Sequence, residues 1–166
     1  MSPAISGRFS LLDHNGRPVT QDDFQGRFRL VYFGFTHCRV VCPRSLTKLS
    51  GILDRLGERA EKVTALYISV DPDRDTPAVM RAYLEDRYPR FLGLTGNTEQ
   101  IDEAKRNFRV FAQTKPDAAD PDGYAVPHTA IAYLLNADGK YCTHFTDTTE
   151  SQEIFDRLSA ALDEPT

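Results

Sequence analysis

The chain has 166 residues, 40% of them apolar, enough for one well-buried core and short for two ordinary domains, so residues 1–166 read as a single domain. Its 20 basic and 24 acidic side chains are interspersed and leave a net charge of −4, which excludes nucleic-acid binding through bulk charge and favours proteins, metals or small thiols as partners. No apolar run reaches the roughly 20 residues of a membrane helix and no signal peptide is visible, although Met1-Ser2-Pro3 leads almost directly into folded-looking sequence and leaves room for an anchoring segment upstream.

Segments 8–12 and 17–20 flank Asp13-His14-Asn15-Gly16, whose Asn-Gly step predicts a hairpin turn. The continuous apolar run from Leu30 to Phe35 predicts a strand buried on both faces. Pro43 suits the first helical position and biases its predecessor away from helical ψ, which makes Cys42 the expected cap residue. Leu46, Leu49, Ile52, Leu53 and Leu56 then recur at helical steps until Gly57, the expected stop. A second buried strand is expected over Val63 to Val70, followed by the charged loop Asp71-Pro72-Asp73-Arg74-Asp75. Thr76 can cap a helix opened by Pro77 with Met80, Tyr83 and Leu84 inward, and Asn97 or Thr98 caps another carrying Ile101, Ala104 and Phe108. Residues 113–127 read as an unusually long polar loop, a type that tends to be functional. A strand pair over 129–135 and 140–145 turns at Ala137-Asp138-Gly139, and a final helix from about Glu150 buries Ile154, Phe155, Leu158 and Leu162.

Cys38 and Cys42 carry the chemistry. They lie four residues apart where the first buried strand meets the first helix, so their sulfurs can converge and either close as a disulfide or, as thiolates, hold one soft metal ion. Unpaired amides and the positive end of the helix dipole favour the thiolate there. A purely structural disulfide is the plainer reading, and the strand-to-helix position favours a functional pair over it. Cys142, on a late strand, suits a core as a small apolar side chain. His14 in a turn and His144 on a strand read as structural or solvated, and His37 as packing beside Cys38. Asp71, Asp73 and Asp75 resemble the start of a calcium loop, but the glycine and distal glutamate at the required offsets are missing, so a shaped loop bordering the cysteine turn is expected instead.

The order of strands and helices, with a redox turn between the first core strand and helix, is that of an α/β thioredoxin-like fold: a central mixed sheet flanked by helices, plus an N-terminal β-hairpin and an inserted helix. Thioredoxin has two residues between its cysteines, whereas this chain has three, Arg39-Val40-Val41. Tyr32-Phe33-Gly34-Phe35-Thr36-His37-Cys38, Cys42-Pro43, the run from Ser69 to Pro77, and His128 ahead of a strand ending near Asp138-Gly139-Lys140 together resemble the Sco/SenC family from about Phe9 to Leu158.

The resemblance implies a thioredoxin-fold copper protein that helps to build the dinuclear copper centre of cytochrome c oxidase. It implies tethering to the bacterial inner membrane on its periplasmic side, or to the mitochondrial inner membrane facing the intermembrane space. Carried over, the copper ligands are Cys38, Cys42 and His128, and the partners are the copper-bearing oxidase subunit or another copper chaperone, with a thioredoxin-like reductant. Thiolates select Cu(I), imidazole also accepts Cu(II), and three donors leave the open coordination that suits handing an ion on. A structural zinc site would need a fourth ligand, and none is evident. The chain departs from the family's usual proline and aspartate after the first cysteine, having Arg39 and Val40, and from its usual aspartate before the histidine, having Pro127. Pro127 is also where a thioredoxin-like cis-proline is expected. The alternative is a thiol-disulfide oxidoreductase in which Cys38 attacks a partner's cysteines and Cys42 resolves, with His128 dispensable. A peroxidase of the peroxiredoxin kind is disfavoured, because its proline and threonine would fall at Val31 and Phe35.

Overall fold

The computed structural model describes residues 5–36, 41–110, 115–116, 124–125 and 131–163. A hairpin of β1 (Ser10–Asp13) and β2 (Pro18–Thr20) opens the fold, its turn closed by hydrogen bonds from the Asp13 amide to the Arg17 carbonyl at 2.9 Å and from the Gly16 amide to the Asp13 carbonyl at 2.9 Å. Gly16 supplies the left-handed φ of 83° that this turn needs. A single 3-10 turn at Gln21–Phe24, capped by Thr20, leads into β3 (Phe28–Gly34).

β3, β4 (Val63–Ser69) and β5 (Phe91–Thr95) run parallel at the centre of a seven-stranded sheet ordered β2-β1-β5-β4-β3-β8-β9. β8 (Ile131–Leu135) returns antiparallel beside β3, and β9 (Tyr141–Thr146) forms the far edge. Strict alternation along β3 explains its unbroken apolarity. Leu30 and Tyr32 face one layer with α1 (Val41–Leu56), α2 (Pro77–Arg87) and α4 (Ser151–Asp163), while Val31 and Phe33 face the other with α3 (Thr98–Phe108). Leu46, Leu49, Ile52, Leu53 and Leu56 of α1 are all buried in the first layer. Fully burying each such side chain contributes about 1.5–3 kcal/mol, so the face of α1 behind the cysteine turn is firmly seated.

The mixed sheet, the flanking helices and the N-terminal hairpin agree with the sequence reading, and so do the caps of α2 and α3. Thr76 accepts from the Val79 amide with Pro77 in the first turn, and Asn97, rather than Thr98, forms a capping box with Gln100. Four features differ. α1 starts at Val41, which puts Cys42 inside the first turn and not at the cap; proline fits any first-turn position, since those amides have no acceptor within the helix. β5 has no counterpart in the sequence reading. The expected loop at 113–127 contains a two-residue ladder, β6 (Lys115–Pro116) against β7 (Tyr124–Ala125). Finally, Cys142 is exposed and not in the core: β9 is an edge strand, and its register slips between Leu134–Thr143 and Leu135–Tyr141, leaving Cys142 as the bulged residue.

At the pole of the sheet away from the start of α1, the Ser6 amide donates to the Asn107 carbonyl at 3.0 Å, and Gly7 lies against Leu135 and Gly139. Among the described residues, no helix is long and apolar enough to cross a membrane.

Candidate functional site

The C-terminal ends of β3 and β4 lie side by side, with Gly34 opposite Ser69 and the Val70 amide donating to the Gly34 carbonyl at 2.8 Å. β3 delivers the chain through Phe35 and Thr36 to the cysteine segment, and α1 carries it away, with Cys42 in the first helical turn. Cys38, His37, Arg39 and Val40 lie outside the described residues, as do His128 and Pro127, so the cis-proline expectation falls there too. What is described is the frame that holds the ends of this segment.

Asp75 is the centre of that frame. Its side chain is fully buried and accepts hydrogen bonds from the Thr36 hydroxyl at 2.5 Å, the Thr36 amide at 3.1 Å and the Ser69 hydroxyl at 2.7 Å. Its own carbonyl accepts from the Thr95 hydroxyl at 2.6 Å. One residue thus links the ends of β3, β4 and β5. Burial holds the Asp75 carboxyl above the ordinary aspartate value, against the lowering effect of the Thr36 and Ser69 hydrogen bonds, and the neighbouring charge of Asp71 raises it further.

The rest of the acidic loop is spent on its own shape. Asp71 pairs with Arg74 at 2.6 Å, both largely buried, and the Asp71 carbonyl accepts from the amides of Arg74 and Asp75. The Arg74 guanidinium sits 6.0 Å from the centre of the Phe35 ring, at the reach of a cation–π contact. Asp73 alone is exposed. With Asp71 held by Arg74 and Asp75 by Thr36 and Ser69, the loop is shaped by its own contacts beside the ends of β3 and β4.

The far end of the segment is held by a residue that the sequence reading passed over. The Tyr88 hydroxyl donates to the carbonyl of Pro43, the residue after Cys42, at 3.3 Å, and lies 3.5 Å from the Thr47 hydroxyl. Tyr88 ends a row of four rings that runs from Tyr32 of β3 through Tyr67 of β4 and Tyr83 of α2, with successive centroids 6.2, 6.3 and 5.8 Å apart. Nothing local in the sequence points to it. The remaining histidines behave as expected: His14 accepts from the Gly93 amide at 3.2 Å through Nδ1, which is structural, and His144 is exposed beside the Tyr141 hydroxyl.

The sequence model of SCO1/SenC proteins matches residues 1–163. The chain belongs to the SCO1/SenC family. Its SCO relatives include a SCO2-like protein of Rickettsia felis, 40% identical over 93% of this chain and 75% of that one. They also include the mitochondrial SCO2 homologue of Mus musculus, 42% identical over 92% of this chain and 60% of that one. The chain therefore spans about three fifths of the length of the mouse SCO protein. Among solved SCO structures, Bradyrhizobium japonicum ScoI with copper bound superposes with a TM-score of 0.85 at 40% identity, covering 95% of this chain and 99% of that one. Yeast Sco1 with copper bound superposes at 0.88 and 31% identity, covering 99% and 91%.

Proposed function

We propose that this SCO1/SenC protein is a copper-handling assembly factor for the dinuclear copper centre of cytochrome c oxidase, holding Cu(I), and in a further state Cu(II), with Cys38, Cys42 and His128. The observation that carries this reading is the likeness over nearly the whole chain to ScoI with copper bound, together with a cysteine in the first turn of α1. The donor set suits the ion: two soft sulfurs and one imidazole match Cu(I), and fewer than four protein ligands favour transfer over storage. Topology supports the third ligand. β8 starts at Ile131 beside the end of β3, and His128 precedes it by three residues in sequence. The same two thiols cycle between dithiol and disulfide, and oxidation switches metal binding off.

On this reading the partners are the copper-bearing oxidase subunit or a second copper chaperone that supplies the ion, with a thioredoxin-like reductant restoring the dithiol. The place of action is the periplasmic face of the bacterial inner membrane, or its mitochondrial counterpart facing the intermembrane space, through an anchor outside these residues. Mitochondrial relatives such as the mouse SCO1 homologue support such a location.

An anaerobic Cu(I) competition titration of the reduced protein against a chelator of known affinity tests the proposal. One equivalent bound tightly, abolished by Cys38→Ser or Cys42→Ser and weakened by His128→Ala with disulfide exchange intact, is the expected result. Absence of competitive binding overturns it and leaves a thiol-disulfide oxidoreductase with Cys38 as nucleophile.

A further inference from the structure

We propose that α2 and its two flanks form a brace that sets the spacing of Cys38 and Cys42, with Asp75 fixing the leading end of the cysteine segment through Thr36 and Tyr88 fixing the trailing end through Pro43. The two anchors belong to one element. Asp75 lies two residues before α2, and Tyr88 is its C-terminal cap. Thr36 and Pro43 bracket the six residues 37–42. Both ends of the segment are therefore referred to a single rigid body.

The brace is itself pinned. The Ser69 hydroxyl ties Asp75 to β4 at 2.7 Å and the Thr95 hydroxyl ties it to β5 at 2.6 Å. Met80 and Leu84 of α2 pack over Gly93 of β5 so closely that a Cβ placed there would stand 2.9 Å from Leu84 Cδ1 and 3.1 Å from Met80 Cβ. A disulfide requires Cβ atoms about 3.5–4.5 Å apart with a defined dihedral, whereas a dithiolate around a metal tolerates a wider spread. Small displacements of Thr36 relative to Pro43 consequently alter the balance between the closed disulfide and the open, metal-competent dithiol. Asp75, Thr36 and Tyr88 act in this way as positioning residues through the backbone.

This inference rests on the reading that Cys38 and Cys42 are the working pair. It is tested by equilibrating the protein with a glutathione buffer. Cys38 and Cys42 lose two protons and two electrons and form one S–S bond, while oxidised glutathione is cleaved and takes them up as two glutathione thiols. Thr36→Val and Tyr88→Phe, each deleting one hydroxyl, are expected to shift this equilibrium constant by more than about threefold, with about tenfold as the ceiling reached when the hydrogen bond is made in only one of the two redox states. Thr36→Ser, which keeps the donor, should restore the wild-type value. Unfolding midpoints are measured alongside. Thr36→Val and Tyr88→Phe that lower the midpoint but leave the equilibrium within about twofold would overturn the brace, because a merely structural role gives that pattern. A wild-type protein that forms the disulfide but binds no Cu(I) sinks the copper reading alone and leaves the brace to be judged on the exchange data. A wild-type protein that forms neither overturns both.

Discussion

The Asp75 carboxylate and the Thr36 hydroxyl meet at 2.5 Å across 39 residues of sequence, and this contact joins the acidic loop to the entrance of the cysteine segment. Because burial raises the Asp75 pKa, the native protein keeps the Asp75 proton to higher pH than the unfolded chain does. Its contribution to stability is complete below the ordinary aspartate value of 3.8 and is lost as pH rises through the raised native value. An asparagine cannot titrate. Asp75→Asn should therefore gain on the wild type as pH rises through this window, with a slope of up to about 1.4 kcal/mol per pH unit. Urea unfolding of both proteins across the acid range checks this, and a pH-independent difference would show that Asp75 does not titrate in this way.

Gly93→Ala drives a methyl group into Leu84 and Met80, and Met80 Cβ is fixed to the helix backbone and cannot swing away. α2 has to shift by a few tenths of an ångström. We expect a loss of about 1–3 kcal/mol in denaturant unfolding, the usual cost of overpacking. A neutral outcome would mean that α2 sits loosely on β5.

Asn97→Ala removes the capping box of α3, where the Asn97 side chain accepts from the Gln100 amide at 2.8 Å. The expected loss is about 1 kcal/mol of stability. Since α3 lies on the other face of the sheet from α1 and α2, the glutathione equilibrium of the cysteine pair should not move with it. A shift there would show that lowered stability alone perturbs the pair.

Cys142 is exposed on the β9 edge, in contrast to the core position that its strand suggests. In protein whose Cys38 and Cys42 are oxidised, iodoacetamide should add one adduct at Cys142 by mass spectrometry. Cys142→Ser should abolish the adduct and change stability by less than about 0.5 kcal/mol, as expected at a surface position. Resistance to alkylation, or a loss above about 1 kcal/mol, would mean that this thiol is packed.

What could be read in advance follows the range of the forces involved. Thr76, Asn97 and Gly57 act on their own helices, so their roles are visible in a few neighbouring letters. The two-sided burial of β3 is written in its unbroken apolar run. β5 escaped because it is only five residues long and interrupted by Gly93, which reads as a break but serves the close approach of α2. Cys142 was misplaced because a bulge, fixed by pairing with β8, breaks the alternation its strand implies. The cysteine pair was conspicuous from spacing alone. Its supports were not, since Asp75 reaches Thr36 and Tyr88 reaches Pro43 only after the chain has folded.

Ser6 and Gly7 lie against Asn107, Leu135 and Gly139, the length of β3 away from the turn where α1 begins. Seven residues of strand at about 3.3 Å each place roughly 20 Å of sheet between them. A fluorophore, affinity resin or electrode surface joined ahead of Ile5 is therefore held at the opposite end of the sheet from the start of α1, and thiol titrations can be run on immobilised protein with the attachment kept away from that end.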